Sequence, residues 1–410
     1  MTGKPKLLEL DKEKIKMTKK RYSHNSGDGL SGDGGMSGVN DRTQFPVAVN
    51  KYSGDKFFRY FNLLKDAKFG FSIRKSAILN YLKIKLGMRS EYVGVKTTCP
   101  AIIYVFALKR CNLKCSFCEI VDHPADWKKH ELTPEEFTKI LSVDIVKKAL
   151  VICFSGGEPL LHKDLPELVK MAKKHKYIVG LNSNGLLLNE RIDDIKNIGI
   201  SDIQLSVYNN TKEKLRKILP LVSQYFPLNA SYVLTCSDLI MGKDNGYENL
   251  VDTIKMCAES GCASFKFNIC QLNSVTKDMP ETIYEGNKHY KEFVEICKTV
   301  LPELNFAGYG GGKQKLWPSR KFTVFFPFPL TKDTVRRSCM LPWTVLDIWN
   351  NGEFDLCCGL RRLGNILDDP DSINNEKARR IKASLLNPEL TLENECLNCV
   401  FRDGAYSSNF

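Results

Sequence analysis

Three cysteines lie within a stretch of eight residues, CNLKCSFC, with the spacing C-x3-C-x2-C. They are Cys111, Cys115 and Cys118. Thiolates this close along one loop can converge on a compact metal centre. A structural zinc ion takes four protein ligands, whereas a cubane [4Fe–4S] cluster held by three cysteines leaves one iron open to another ligand. The spacing therefore predicts an iron–sulfur cluster with a vacant coordination position.

The cysteines directly follow the first of several predicted strands. Apolar, β-rich runs alternate with amphipathic helical stretches at 101–108, 150–155, 177–185, 202–208, 229–235 and 264–270. Six such β/α units predict an α/β fold with a parallel sheet or barrel. In these folds the chemistry lies at the carboxyl ends of the strands. We therefore expect the cysteine loop to lie at that edge.

A second motif, GGEP, follows the second predicted strand and consists of Gly156, Gly157, Glu158 and Pro159. With the cysteine spacing and an aromatic residue, Phe117, before the last cysteine, it resembles the radical S-adenosylmethionine (SAM) superfamily. The resemblance spans about residues 100–270 and implies a partial (β/α)6 TIM-like barrel. It also implies that SAM chelates the open iron and is cleaved reductively to a 5′-deoxyadenosyl radical, which abstracts a hydrogen atom from a substrate.

The resemblance also implies roles for individual residues. Gly156 and Gly157 offer backbone groups, and Glu158 a carboxylate, to the ammonium of SAM, and Pro159 fixes the turn. Phe117 is expected near the adenine. Further candidates for the SAM carboxylate or ribose are Ser183, Asn184 and Ser206. The alternatives are an ordinary strand-to-helix turn for GGEP, packing for Phe117 and plain polar turns for the last three.

A second cysteine set occupies the C-terminal part and consists of Cys339, Cys357, Cys396 and Cys399. Twelve residues separate Cys339 from Gly352 and four separate Gly352 from Cys357, which resembles SPASM and twitch domains. The stretch LDIWNNGEFDLCC predicts a β-hairpin turning at Asn-Asn-Gly, which would set Cys339 beside Cys357. Four thiolates imply one auxiliary [4Fe–4S] cluster, with a zinc site as the alternative. Cys358 is interpreted as a neighbour of the ligand Cys357.

These patterns divide the chain into five parts. We expect a disordered basic, glycine-rich tail at 1–45, a helical extension at 46–100, the core barrel at 101–275, a bridging segment at 276–335 and a small cluster-binding α+β extension at 336–410. A basic amphipathic helix within 57–88 is expected to dock on the core, or else to lie on a membrane surface. Within the bridging segment, 308–315 and 325–330 are expected to be loops or bridging segments.

Composition narrows the class of protein. The longest notable apolar run, 101–108, is far shorter than the roughly 20 residues of a membrane span, and the N-terminus lacks a signal-peptide pattern. We expect a cytoplasmic protein whose fifteen cysteines stay reduced, with Cys153, Cys257 and Cys297 as small core residues. The net charge of +13, without a nucleic-acid-binding motif, suits an acidic flavodoxin- or ferredoxin-type reductant.

Three reactions fit these features: oxidation of a substrate radical, epimerisation, and crosslinking of a ribosomal peptide. Cys236 and Cys270, at the ends of the fifth and sixth predicted strands, are candidate hydrogen donors, with a core role as the alternative. We favour a polar small-molecule or carbohydrate substrate, because the pattern at 46–95 predicts helix and loop only, whereas many peptide-modifying relatives carry a winged-helix domain with three strands. A non-catalytic iron–sulfur or zinc protein that binds nucleic acid is the alternative from another class.

Overall fold

The computed structural model describes residues 96–97, 99–118, 120, 130–270, 281–284, 286–309, 322–327, 329, 339, 341–357, 362–387, 389–393 and 396. The predictions for the tail at 1–45, for nearly all of the extension at 46–100 and for the helix within 57–88 lie outside these residues. Cys358 and Cys399 also lie outside them.

One sheet contains the strands of the described part. In chain order they are β1 Ile102–Leu108, β2 Val151–Gly156, β3 Ile178–Ser183, β4 Ile200–Ser206, β5 Leu228–Leu234, β6 Ser264–Ile269, β7 Asn305–Tyr309, β8 Thr323–Pro327, β9 Val345–Trp349, β10 Glu353–Asp355 and β11 Gly364–Asn365. Across the sheet the order is β11-β10-β9-β1-β2-β3-β4-β5-β6-β8-β7. Strands β1 to β6 are parallel neighbours. The predicted α/β fold and partial TIM-like barrel are confirmed, and the sheet is not closed.

Helices connect the strands and cover one face. They are α1 Pro134–Ser142, α2 Asp144–Lys147, α3 Leu165–Lys174, α4 Leu188–Ile195, α5 Lys212–Val222, α6 Cys236–Gly242, α7 Glu248–Glu259, α8 Lys288–Val300, α9 Leu341–Thr344 and α10 Glu376–Leu386. A capping box between Thr133 and Glu136 begins α1. On the covered face Val105, Phe154 and Leu181 are fully buried. Each such side chain stabilises the fold by about 1.5–3 kcal/mol.

The opposite face of the sheet is polar, and we call it the inner face. The pairing of neighbouring strands places sixteen residues of seven strands on this face. They are Tyr104, Phe106, Cys153, Ser155, Gly180, Asn182, Asp202, Gln204, Ser206, Asn229, Ser231, Ser264, Lys266, Asn268, Asp347 and Trp349. Cys153 is buried, as predicted, but it lies on this face, where its thiol donates to Asn182 Oδ1 at 3.3 Å. Cys257 and Cys297 are core residues as predicted.

The segment after β6 contains more strand than the sequence indicates. The stretch at 325–330 was expected to be a loop or bridging segment, but Thr323–Pro327 forms β8 between β6 and β7. Its proline is tolerated because it is the last residue of the strand, where a missing N–H costs little. The predicted hairpin is present as β9 and β10, and β9 extends the sheet by pairing in parallel with β1. No helix among the described residues is long and apolar enough to cross a membrane.

Candidate active site

The cysteine loop leaves the carboxyl end of β1 and is held there by backbone contacts with the GGEP turn. Gly157 N–H donates to Leu108 O at 2.8 Å, and Glu158 N–H donates to Arg110 O at 2.9 Å. Within the loop, Cys118 N–H donates to Cys115 O at 3.1 Å, which closes a tight turn. Both predicted motifs therefore meet at one edge of the sheet.

This contact depends on the two glycines. A Cβ at Gly156 would collide with Leu108 O, and one at Gly157 would collide with Arg110 O. Gly156 also has φ of +129°, which side chains rarely adopt. The glycines thus bring two backbones together, and their moderately exposed backbone remains the candidate surface for the SAM ammonium. Pro159 begins a short 3-10 turn and is buried.

Glu158 supports the site from inside instead of presenting its carboxylate at the surface. The side chain is 0% exposed. Its carboxylate accepts hydrogen bonds from Ser183 Oγ at 2.8 Å, Asn184 N at 2.8 Å and Leu160 N at 3.1 Å. The carboxylate is thus used by contacts within the protein, and its expected contact with the SAM ammonium stays a prediction. Its role here is to join the ends of β2 and β3.

Replacing Glu158 tests that role. Burial raises the pKa of Glu158, while its three hydrogen-bond donors oppose the shift. Glu158→Gln leaves the Asn184 N–H facing an amide N–H, so we expect the free energy of unfolding at pH 7 to fall by about 1–3 kcal/mol. Denaturant unfolding measures this, with Glu167→Gln on the exposed side of α3 as control. A loss equal to that of the control contradicts the assignment.

The raised pKa of Glu158 also predicts a pH dependence. The folded protein binds the carboxyl proton of Glu158 more tightly than the unfolded chain does. At a pH between the two pKa values, Glu158 is therefore protonated in the folded protein and ionised in the unfolded chain. The contribution of Glu158 to stability is therefore largest below its unfolded pKa and declines as pH rises through the folded value. This component of the stability profile is expected to be absent in Glu158→Gln.

Ser183, the last residue of β3, and Asn184, which follows it, are both held by Glu158. Ser183 Oγ donates to that carboxylate and accepts from Gly185 N at 2.9 Å, so its hydroxyl is used internally. Asn184 extends toward the cysteine loop, where its Nδ2 donates to Asn112 Oδ1 at 2.7 Å. Ser183 and Asn184 thus position the loop, and their predicted contacts with SAM stay predictions.

Two aromatic residues flank the thiols. The rings of Phe117 and Tyr208 lie 5.7 Å apart between centroids. Burial raises the pKa of Tyr208, and the nearby thiols, Cys115 foremost, raise it further, while a hydrogen bond with Ser206 opposes the shift. The sequence interpretation missed Tyr208 and Asn112. An aromatic residue two positions after the last residue of β4 was the available signal for Tyr208.

The three thiols share one electrostatic environment. Burial, together with the nearby Cys118 and Cys111, raises the pKa of Cys115 to about 11. Among the described residues no three His, Cys, Asp or Glu side chains converge on a single ion. A cubane cluster does not need such convergence, because each thiolate binds a different iron. Three partly exposed thiols on one loop therefore fit a [4Fe–4S] cluster, whose binding displaces their protons.

The two candidate hydrogen donors lie just beyond the ends of β5 and β6. Cys236 is the first residue of α6, its thiol donates to Thr282 O at 3.4 Å, and it packs against the helix-covered core. Cys270 follows β6 and is 1% exposed. Burial raises the pKa of both thiols, so both are protonated near neutral pH. Their role as hydrogen donors stays a prediction.

The C-terminal cysteines are partly described. Cys339, Cys357 and Cys396 are each nearly fully buried. Cys357 follows β10, which runs back along the sheet toward the end where β1 begins. Since Cys399 lies outside the described residues, the four-thiolate auxiliary site stays a prediction.

Comparison with known proteins agrees with this geometry. The model of the radical SAM superfamily matches residues 106–285, which contain both motifs and all but the start of the six parallel strands. The chain carries a radical SAM domain. Streptococcus suis SuiB bound to S-adenosylmethionine has a similar fold, with a TM-score of 0.52, 13% identity and coverage of 76% of this chain and 74% of SuiB. A radical SAM domain uses SAM and a [4Fe–4S] cluster.

Curated relatives match part of the chain. GTP 3′,8-cyclase of Chlorobaculum tepidum is 31% identical over 147 residues, which are 35% of this chain and 41% of the relative. A probable GTP 3′,8-cyclase of Methanocaldococcus jannaschii is 25% identical over 201 residues, which are 49% of this chain and 59% of the relative. The chain thus spans less than two thirds of the length of these relatives.

Proposed function

We propose that this radical SAM enzyme abstracts a hydrogen atom from a polar small molecule or carbohydrate held against the inner face, with oxidation or epimerisation as the outcome. The observation that carries the proposal is the chemistry of that face of the sheet, whose carboxyl edge carries the cysteine loop. On β5 and β6, Ser231, Ser264 and Asn268 are half-buried, while the residues alternating with them are buried against helices. Hydroxyl and amide groups suit a substrate rich in hydroxyl groups.

The charges of the inner face favour a neutral or amine-bearing substrate. In strands β1 to β6 and β9, its charged residues are Asp202, Asp347 and Lys266. Both carboxylates are near Cys153, because each raises the pKa of that thiol after burial. Gly180 leaves room between them, since a Cβ there would lie 3.2 Å from Asp202 Oδ1. Two carboxylates and one ammonium attract an amine more readily than a triphosphate.

This proposal assigns a separate role to each part of the domain. Cys111, Cys115 and Cys118 would hold the cluster, and the Gly156–Gly157 backbone would bind SAM. When bound, SAM and the reduced cluster supply the hydrogen-atom abstraction. The inner face orients the substrate beneath the site. We assign the electron to an acidic flavodoxin- or ferredoxin-type donor, which the net charge of +13 suits, and an auxiliary cluster at the C-terminal cysteines belongs to the same proposal.

A nucleotide substrate is the second candidate. It is favoured by the names of the curated relatives, which are GTP 3′,8-cyclases. The inner face of the described strands offers one lysine for phosphate groups, which makes this candidate the weaker one.

Formation of 5′-deoxyadenosine separates the candidates. The anaerobically reconstituted protein is given SAM, dithionite and either GTP or a panel of amino sugars and aminocyclitols. We expect members of the panel to raise 5′-deoxyadenosine formation about tenfold or more, as substrate binding energy aligns the site. In Asp202→Asn this stimulation should fall, whereas Asp193→Asn on exposed α4 should retain it.

The other outcomes of this assay are also decisive. Stimulation by GTP alone would replace the proposal with the nucleotide candidate. A reducible cluster that never cleaves SAM would instead favour the non-catalytic class.

A further inference from the structure

Asn184 connects three parts of the site through its backbone and its side chain. Its N–H donates to Glu158 Oε2 at 2.8 Å, and its Oδ1 accepts from Leu186 N at 3.1 Å. Its Nδ2 donates to Asn112 Oδ1 at 2.7 Å and lies 3.9 Å from Cys111 Sγ. One residue therefore ties the end of β3 to the GGEP turn and to the first cysteine.

These contacts fix the orientation of the Asn184 amide. Because Oδ1 already accepts the Leu186 N–H, the NH2 end must face the cysteine loop. One of its two hydrogens is used by Asn112, and the other points toward the sulfur of Cys111. The side chain is 6% exposed, so water competes little for this donor.

Cys111 receives a second N–H donor from its own loop. Leu113 N–H donates to Cys111 Sγ at 3.4 Å. The two donors approach from different parts of the chain, one from the loop itself and one from the end of β3. Burial raises the pKa of Cys111, and the hydrogen bonds from Leu113 and Asn184 oppose that shift, so both donors favour negative charge on the sulfur.

We propose that Asn184 is a positioning residue that raises the reduction potential of the cluster bound by the cysteine loop. Reduction adds one negative charge to a cluster, and N–H groups directed at its thiolates stabilise that charge. A higher potential makes the electron needed for SAM cleavage easier to deliver. This inference rests on Cys111 being a cluster ligand, as the proposed function assumes.

The test is a redox titration of Asn184 variants, followed by electron paramagnetic resonance and without substrate or SAM. Asn184→Ala removes the donor, and Asn184→Asp replaces it with an acceptor of the same shape. We expect both variants to retain iron and sulfide. At a fixed solution potential their ratio of reduced to oxidised cluster should fall several-fold, and by about tenfold in Asn184→Asp, which is 59 mV for one electron.

Asn182→Ala is the matched control. Asn182 is two residues earlier in β3, and its side chain contacts Cys153 and Ser155 on the inner face instead of the cysteine loop. We expect its cluster to titrate like that of the wild type. An equal shift in this control would show that any loss at the end of β3 changes the potential, which overturns the specific role of Asn184.

Two further results would overturn the inference. Full iron content with an unchanged potential in both Asn184 variants means that the amide does not act on the cluster. Loss of the cluster in both variants means that Asn184 is only a structural tether. If Cys111→Ala keeps its full iron content, the premise fails instead, and the proposed cluster site fails with it.

Discussion

Replacing Cys111, Cys115 and Cys118 together with alanine is expected to abolish SAM cleavage. Replacing a residue that hydrogen-bonds to a metal ligand typically costs about 10–100-fold in affinity or activity. Loss of all three ligands should exceed that range because no thiolate remains to hold the cluster. The protein should still fold, since Cys111 is exposed and the other two are only partly buried. The measurements are 5′-deoxyadenosine formation and iron per chain after anaerobic reconstitution.

Iron content in the same variant also tests the auxiliary site. If the C-terminal cysteines bind a second cluster of the same size, about half of the wild-type iron should remain, and Cys339→Ala should lose the other half. Cys297→Ala is the control, because Cys297 is buried in the core away from both sets. Unchanged iron in the triple variant would refute the cluster at the cysteine loop. Unchanged iron in Cys339→Ala would refute the auxiliary cluster.

Gly156→Ala is expected to destabilise the fold and to empty the cluster site. The added Cβ would collide with Leu108 O, and the backbone has φ of +129°. Positive φ costs a non-glycine residue about 1–2 kcal/mol, and forced displacement of packed atoms costs about 1–3 kcal/mol more. We therefore expect a loss of about 3 kcal/mol in the free energy of unfolding. We also expect reduced iron, because a displaced Leu108 moves the backbone that leads into the cysteine loop.

Gly286→Ala separates the two causes. Gly286 has φ of +89°, yet nothing lies within 4 Å of the position of its missing Cβ. Gly286→Ala should lower the free energy of unfolding only by the cost of positive φ, about 1–2 kcal/mol. It should leave the iron content unchanged. If the two alanine variants are equally stable, the backbone of the GGEP turn does not pack tightly against the cysteine loop.

Local patterns along the chain determined much of the core. Short apolar runs that alternate with amphipathic helices predicted the six parallel strands. Each of these signals can be seen within a few residues of the chain, because a strand or helix that is buried on one face needs apolar residues at regular spacing. Thr133 and Glu136 interact only with nearby residues, so the start of α1 was predictable. The spacing of Cys111, Cys115 and Cys118, together with GGEP after the next strand, indicated the radical SAM domain, because both motifs are short and can be read from the sequence directly.

Contacts between distant residues decided the rest. Asn184 reaches Cys111 across 73 positions of the chain, and Glu158 reaches Ser183 across 25. Burial of the Glu158 carboxylate follows from how β2 and β3 end side by side. The place of Cys153 depends on strand register, since a shift by one residue would turn its thiol toward the helices. The pairing of β9 with β1 likewise joins segments more than 200 residues apart, for which no local preference supplies a signal.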